Sequence, residues 1–182
     1  MIRKICQTWV HRNYGDHIIQ GFKNQNLSIN RLEFITSSDK TSVQKNSSDK
    51  ISDFLKVLTY NAQNVDFITI NVSSPNTVGL RNLQRFRDLD KLIQSIMQNE
   101  FVIAHKKPIL IKVAPDLKNQ ELKSVVKVCK KYKISGIIAT NTTIQRPPFK
   151  GSYQDKAGGL SGKPLEVKSN LLINKFDFFS FD

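Results

Sequence analysis

Apolar residues along this chain fall into two rhythms that take turns. One is the short, nearly continuous run: Phe67 to Ile70, Pro108 to Val113 and Gly136 to Thr140 each read as a buried strand. The other recurs every three or four positions. Ile51, Phe54, Leu55 and Leu58 share one face of a helix running to about Tyr60, with Asn46, Ser47, Ser48 and Asp49 offering caps. A second helix is expected around Leu89 to Met97. A third covers Leu117 to Lys130, where Leu122, Val125, Val126 and Cys129 line up on one face. Strand and helix in alternation predict an α/β fold with a parallel sheet. Arg31 to Thr36 reads as a further short strand before the polar turn Ser37, Ser38 and Asp39, whereas residues 1–30 carry little periodicity.

Each of the central strands runs into polar residues at its C-terminal end. After Ile70 come Asn71, Val72, Ser73, Ser74, Pro75, Asn76 and Thr77. Pro75 ends the ladder by removing a backbone donor, and it keeps Ser74 extended. Asn71 and Asn76 flank two hydroxyls, a set of donors and acceptors that suits a planar heterocycle better than a metal. Lys112 interrupts the apolar run of its strand and needs a partner there, and Pro115 and Asp116 close that strand. Gly136 to Thr140 leads into Asn141, Thr142 and Thr143. Read singly, Ser74 is a turn hydroxyl, Lys112 a strand-end lysine reaching solvent, Asn71 and Asn76 turn residues, Asn141 and Thr142 a helix cap, and Gly162 a turn glycine.

Beyond Thr143 lies a loop with Pro147, Pro148, Gly151 and the cluster Gly158, Gly159, Leu160, Ser161, Gly162, Lys163, Pro164. Such glycines let backbone amides approach a flavin edge or a phosphate. The tail begins as an amphipathic helix at Leu165 and closes on Phe176, Phe178, Phe179 and Phe181, as an element cut short would.

Composition narrows the classes. The 182 residues suffice for one domain with a substantial core, and no apolar run approaches the length of a membrane span. The basic N-terminus lacks the long apolar stretch of a secretory signal, so no export is expected. Cys6 and Cys129 stand far apart without metal or redox spacing and are expected as ordinary thiols in a reducing compartment. His11, His17 and His105 have no partners at metal-ligand spacing and are expected on the surface. The net charge of +13 is spread over solvated faces without an aromatic-interleaved basic stripe, which argues against nucleic acid and leaves a small anionic substrate compatible.

Four motifs in order, "NVSSPNTVGLRNLQ" at 71 to 84, "ILIKVAPDL" at 109 to 117, "GIIATNTT" at 136 to 143 and "GGLSGKPL" at 158 to 165, carry a family resemblance. From about Asp66 to Ser169 the chain resembles the dihydroorotate dehydrogenases, and within them the quinone-dependent, membrane-associated class (class 2). The resemblance implies a (β/α)8 TIM barrel, of which this chain would hold the central strands only, with flavin mononucleotide (FMN) at the C-terminal strand ends. It implies a hydride passing from dihydroorotate to the flavin and a proton to a base, giving orotate, a step of pyrimidine biosynthesis. Ser74 matches the base; the soluble classes carry cysteine there. Lys112 matches the lysine beside the flavin pyrimidine ring, where an ammonium stabilises the reduced flavin. Asn71, Asn76, Asn141 and Thr142 match substrate contacts, and Asn71, Lys112, Thr140 and Gly162 match cofactor contacts.

The ends of the chain depart from the family pattern. Residues 1–30 match poorly, and residues 31–182 form the expected partial-barrel domain. Aligning Lys40 and Thr41 with the family's "GVNIGKNK" puts Ile35 where a flavin-binding asparagine belongs. "HRNYGDHIIQG" from His11 gives no secure counterpart to the family's "NRYGFNN". Nothing matches the first barrel strands, the N-terminal helices that hold quinone and membrane, or the later strands that seat phosphate. The expectation is a fragment, truncated at both ends, that does not turn over alone and, without the family's anchor, is cytoplasmic. The alternative is a non-catalytic interaction module whose open edges pair with a separately encoded remainder of the barrel.

Overall fold

A computed structural model describes residues 3–6, 49–61, 65–75, 79–146 and 158–181. Four parallel strands form one sheet in the order β1, β4, β3, β2: β1 Arg3–Cys6, β2 Ile68–Asn71, β3 Ile109–Val113 and β4 Gly136–Ala139. The helices are α1 Lys50–Asn61, α2 Phe86–Met97, α3 Glu100–His105, α4 Asn119–Lys131 and α5 Lys163–Phe181, with a 3-10 turn at Leu80–Gln84. Strands β2, β3 and β4 follow one another in space as in sequence. Parallel neighbours need a crossover, and helices supply each one.

The three central strands, with α1, α2 and α4, lie where the apolar rhythm predicts. Asp49 caps α1, its Oδ1 accepting from the Ser52 amide at 3.0 Å. Leu89, Leu92, Ile93 and Ile96 bury one face of α2, and Leu122, Val125, Val126, Val128 and Cys129 one face of α4. Three elements differ from expectation. Residues 3–6, read as aperiodic, pair with β4 from Arg3 opposite Gly136 to Cys6 opposite Ala139. A short α3 appears where no helix is expected, started by Asn99 Oδ1 accepting from the Phe101 and Val102 amides at 3.1 and 3.4 Å. Finally, α5 is a 19-residue helix that continues through the phenylalanine cluster. The expected strand at Arg31 to Thr36, and with it Ile35, lies outside the described residues, as do His11 and His17.

All the long helices pack on one face of the sheet. Ile68 and Ile70 of β2 and Val72 just after it, Ile109, Ile111 and Val113 of β3, and Ile137 and Ala139 of β4 join one core with residues of α1, α2, α4, Leu172 and Phe176. Each fully buried leucine or isoleucine there contributes about 2 kcal/mol. Cys129 is buried in that core, and desolvation pushes its thiol up to about 12. It is therefore inert as a nucleophile near neutral pH. His105 is exposed at the end of α3. Among the described residues no helix crosses to the opposite face, the arrangement of a barrel wall rather than of a doubly wound sheet. No described helix is long and apolar enough to span a membrane.

Candidate functional site

The face turned away from the helices is set by strand parity. Side chains alternate along a strand, so the residues between the core positions point to the other side. They are Thr69 and Asn71 on β2, Leu110 and Lys112 on β3, and Ile138 on β4. Asn71 pairs in register with Lys112, and Lys112 with Ile138. The carboxamide and the ammonium thus come from neighbouring positions in the last pair of β2 with β3. Lys112 is half-buried, and desolvation lowers its pKa from the ordinary lysine value. Two residues earlier, Thr69 Oγ1 is buried and has no hydrogen-bond partner.

A polar network closes over the ends of β2 and β4. Asn71 Oδ1 accepts from the Ser73 amide at 3.2 Å, the Ser73 hydroxyl at 2.9 Å and Asn141 Nδ2 at 3.4 Å. Asn141 Nδ2 also donates to Ser73 Oγ at 3.0 Å. Its Oδ1 accepts from the Thr142 amide at 2.7 Å and the Thr142 hydroxyl at 3.4 Å. The Asn71 carboxamide oxygen is thus taken up by three donors of the protein itself. The network fixes the amide orientations that a ligand would meet.

Outside this network lies an ionic knot. Arg81, from the 3-10 turn, donates through Nε to the Ser73 carbonyl at 3.0 Å, through Nη1 to Asp116 Oδ2 at 2.8 Å and through Nη2 to the Thr142 carbonyl at 3.0 Å. One guanidinium therefore joins the segments after β2, β3 and β4. Asp116 further accepts from the Thr143 hydroxyl at 2.5 Å, the Ile144 amide at 3.2 Å and Lys168 Nζ of α5 at 2.6 Å. Burial alone would push the Asp116 carboxyl up, but the hydrogen bonds from Lys168, Thr143, Ile144 and Arg81 outweigh it and hold the pKa below the ordinary value. Gln84 adds a brace, its Oε1 accepting from the Ala114 amide at 2.9 Å.

The glycine-rich segment seats on the same rim. Thr143 and Leu160 exchange backbone hydrogen bonds at 2.9 and 2.7 Å. A Cβ at Gly159 would fall 1.8 Å from Thr142 Oγ1 and 3.3 Å from the Pro75 ring, so only glycine allows this approach. Gly162, at φ +87°, leads into α5, and its carbonyl accepts from the Leu165 amide at 2.8 Å. Thr140 Oγ1 donates to the Asn141 carbonyl and lies 2.9 Å from Ser169 Oγ of α5. With its one proton used, it accepts from Ser169.

Of the residues singled out from sequence, Asn71, Lys112, Asn141 and Thr142 come together at one rim, and Ser74 follows Ser73 directly beside it, half-buried. Thr140 and Gly162 border that rim on the α5 side, and Thr140 has its hydroxyl committed to the protein. Asn76 lies outside the described residues. Among the described residues, Asn141 and Thr142 cap no helix. Sequence reading gave Ser73 no role beyond that of one of two hydroxyls between Asn71 and Asn76, and it passed over Arg81 and Asp116 as partners. Among the described residues no cluster of histidine, cysteine and carboxylate could hold a metal.

Comparison with known proteins gives the family. A family model described as dihydroorotate dehydrogenase matches residues 16–177. A dihydroorotate dehydrogenase (quinone) of Psychromonas ingrahamii is 41% identical over 170 residues, covering 88% of this chain and 48% of that protein. The mitochondrial dihydroorotate dehydrogenase (quinone) of Lachancea kluyveri is 40% identical over 159 residues, covering 80% of this chain and 33% of its own length. Among solved structures, the dihydroorotate dehydrogenase of Eimeria tenella in complex with ferulenol superposes with a TM-score of 0.69 at 28% identity, covering 75% of this chain and 41% of that one. The chain spans about half, or less, of the length of these relatives. Its sheet and one-sided helices are part of a (β/α)8 barrel.

Proposed function

Because the chain belongs to the dihydroorotate dehydrogenase family, we propose that the ends of β2, β3 and β4 form the flavin- and dihydroorotate-facing part of a quinone-linked dihydroorotate dehydrogenase. The observation that carries this reading is the register of Asn71 with Lys112, next to the Asn71–Ser73–Asn141 network. Bound FMN would supply the hydride acceptor.

The residues present suit such a group. Asn71 Nδ2 and Lys112 Nζ are donors on one face, matching the acceptor-rich edge of a planar heterocycle. Half-buried, the Lys112 charge acts through a lower effective dielectric than water and favours negative charge on a neighbouring ring. Asn71, Lys112, Thr140 and Gly162 would hold the cofactor. Asn71, Asn76, Asn141 and Thr142 would hold dihydroorotate.

Ser74 is the base in this reading. A hydroxyl accepts a proton poorly unless it passes its own proton on at the same time, to water or to a neighbouring hydroxyl. The Thr142 hydroxyl lies on the rim close to the turn that carries Ser74, since both it and the Pro75 ring crowd Gly159. Orotate release leaves the same donors in place for the next substrate. The test is absorbance of the purified chain for flavin, followed by dihydroorotate-dependent dye reduction by the chain alone and with the rest of a barrel supplied. Flavin binding with turnover only in the joined form fits the proposal; no flavin in either form rejects it.

A second reading is favoured by α5. Val167, Leu171 and Phe178 are 69%, 57% and 67% exposed and recur at one-face spacing. That outer stripe suits pairing with a separate remainder of the barrel, without catalysis by this chain. Co-expression with such a remainder should then raise solubility without dye reduction.

A further inference from the structure

We propose that Arg81 is a positioning residue, which sets the spacing between the Asn71–Ser73 and Asn141–Thr142 groups by holding the segments after β2, β3 and β4 on one guanidinium. This rests on the strand-end site proposed above and adds to it a determinant of ligand affinity that touches no ligand.

Each nitrogen of the Arg81 side chain is spent on a different segment: Nε on the Ser73 carbonyl, Nη1 on Asp116 and Nη2 on the Thr142 carbonyl. The planar fork matches three acceptors at fixed angles, which a lysine ammonium on its flexible stem does not reproduce. Two carbonyls and a carboxylate crowd together there. Without the cation they would repel, and the segments would part. All three Arg81 side-chain nitrogens are taken by protein acceptors, so the guanidinium does not hold a substrate directly. It acts through the backbone instead.

That backbone is the one that aims the site. Ser73 carries the hydroxyl bonded to both Asn71 and Asn141, and its carbonyl is the Arg81 acceptor. Thr142 donates its amide to Asn141 Oδ1, and its carbonyl is the other acceptor. Arg81 therefore grips both arms of the Asn71–Ser73–Asn141 network from behind. Lys168 extends the grip to α5 by reaching Asp116 at 2.6 Å and Gln145 Oε1 at 2.6 Å. A displacement of about 1 Å between such groups is worth up to about a hundredfold in a reaction that depends on alignment.

The test is orotate titration of the full chain, followed by NMR of the asparagine side-chain amides, in wild type, Arg81→Lys, Asp116→Asn and the double variant. Expected are a shifted Asn141 side-chain amide in Arg81→Lys, orotate binding weakened about tenfold with the fold retained by circular dichroism, and a double variant no worse than the weaker single. Asp116→Asn loosens the same grip from the other side and serves where Arg81→Lys does not fold. An unmoved Asn141 signal with unchanged orotate affinity overturns the proposal, as do losses that multiply in the double variant. If the wild-type chain binds no orotate, either alone or joined with the rest of a barrel, the functional reading fails, and the Asn141 signal alone decides on Arg81.

Discussion

Arg81 and Asp116 meet at 2.8 Å across the segments that follow β2 and β3, with side chains only 21% and 14% exposed. Asp116 answers two cations at once, because Lys168 reaches its other oxygen at 2.6 Å. Replacing Asp116 with asparagine leaves both cations without their counter-charge. The cost is expected to be about 2 kcal/mol, between that of an exposed pair and of a fully buried one. Thermal unfolding should show the loss.

The same carboxylate sets an acid limb. Its folded pKa is depressed, so its contribution is fully present above the unfolded carboxylate value of about 3.9 and is lost as pH falls through the folded value. Stability measured by denaturant titration between about pH 5 and pH 2 should fall less steeply in Asp116→Asn than in wild type.

Lys112 works in the opposite sense. Desolvation lowers its folded pKa, so the unfolded chain holds the proton more tightly and stability rises with pH between the folded value and about 10.4. Lys112→Met removes the charge and keeps much of the stem volume. It should abolish that rise of stability with pH and weaken the binding of flavin.

Gly159 admits no side chain. An alanine Cβ would lie 1.8 Å from Thr142 Oγ1 and 2.5 Å from Thr142 Cβ, and the short threonine cannot swing clear of both. Gly159→Ala is expected to cost about 2 kcal/mol in the melting transition and to disturb the Asn141 side-chain amide, to which Thr142 is bonded.

Residues 3–6 cover the edge of β4, the place that the sequential order β2, β3, β4 gives to the next strand of a barrel. Deleting residues 1–6 would bare a row of backbone groups flanked by Ile137 and Ile138, a template for pairing with a second chain. Faster amide exchange at residues 136–139 and self-association by light scattering are expected.

Much of this was legible because local pattern and tertiary role agree. The inner residues of β2, β3 and β4 read as strands from their apolar continuity, and α2 and α4 from single-faced spacing. The polar strand ends Asn71, Asn141 and Thr142 stood out against that background. β1 did not, because four residues without alternation acquire their structure only from pairing with a strand far along the chain. The start of α3 depends on the Asn99 side chain, and Val102 alone among its residues is buried, too little for a periodic signal. The meeting of Arg81 with Asp116 and Thr142 has no periodicity at all. It exists only once three segments have been brought to one rim.

The central claim is that Asn71 and Lys112 face a flavin. Quenching of FMN fluorescence on titration with the chain tests it most directly, comparing wild type with Asn71→Ala, Lys112→Met and, as an outer-surface control, Lys123→Gln, whose Nζ lies over the Phe179 ring. Saturable quenching by wild type and by the Lys123 variant, weakened about tenfold or more in the other two, is the predicted result. Equal quenching by all four chains, or none by the wild type either alone or joined with the rest of a barrel, would contradict it.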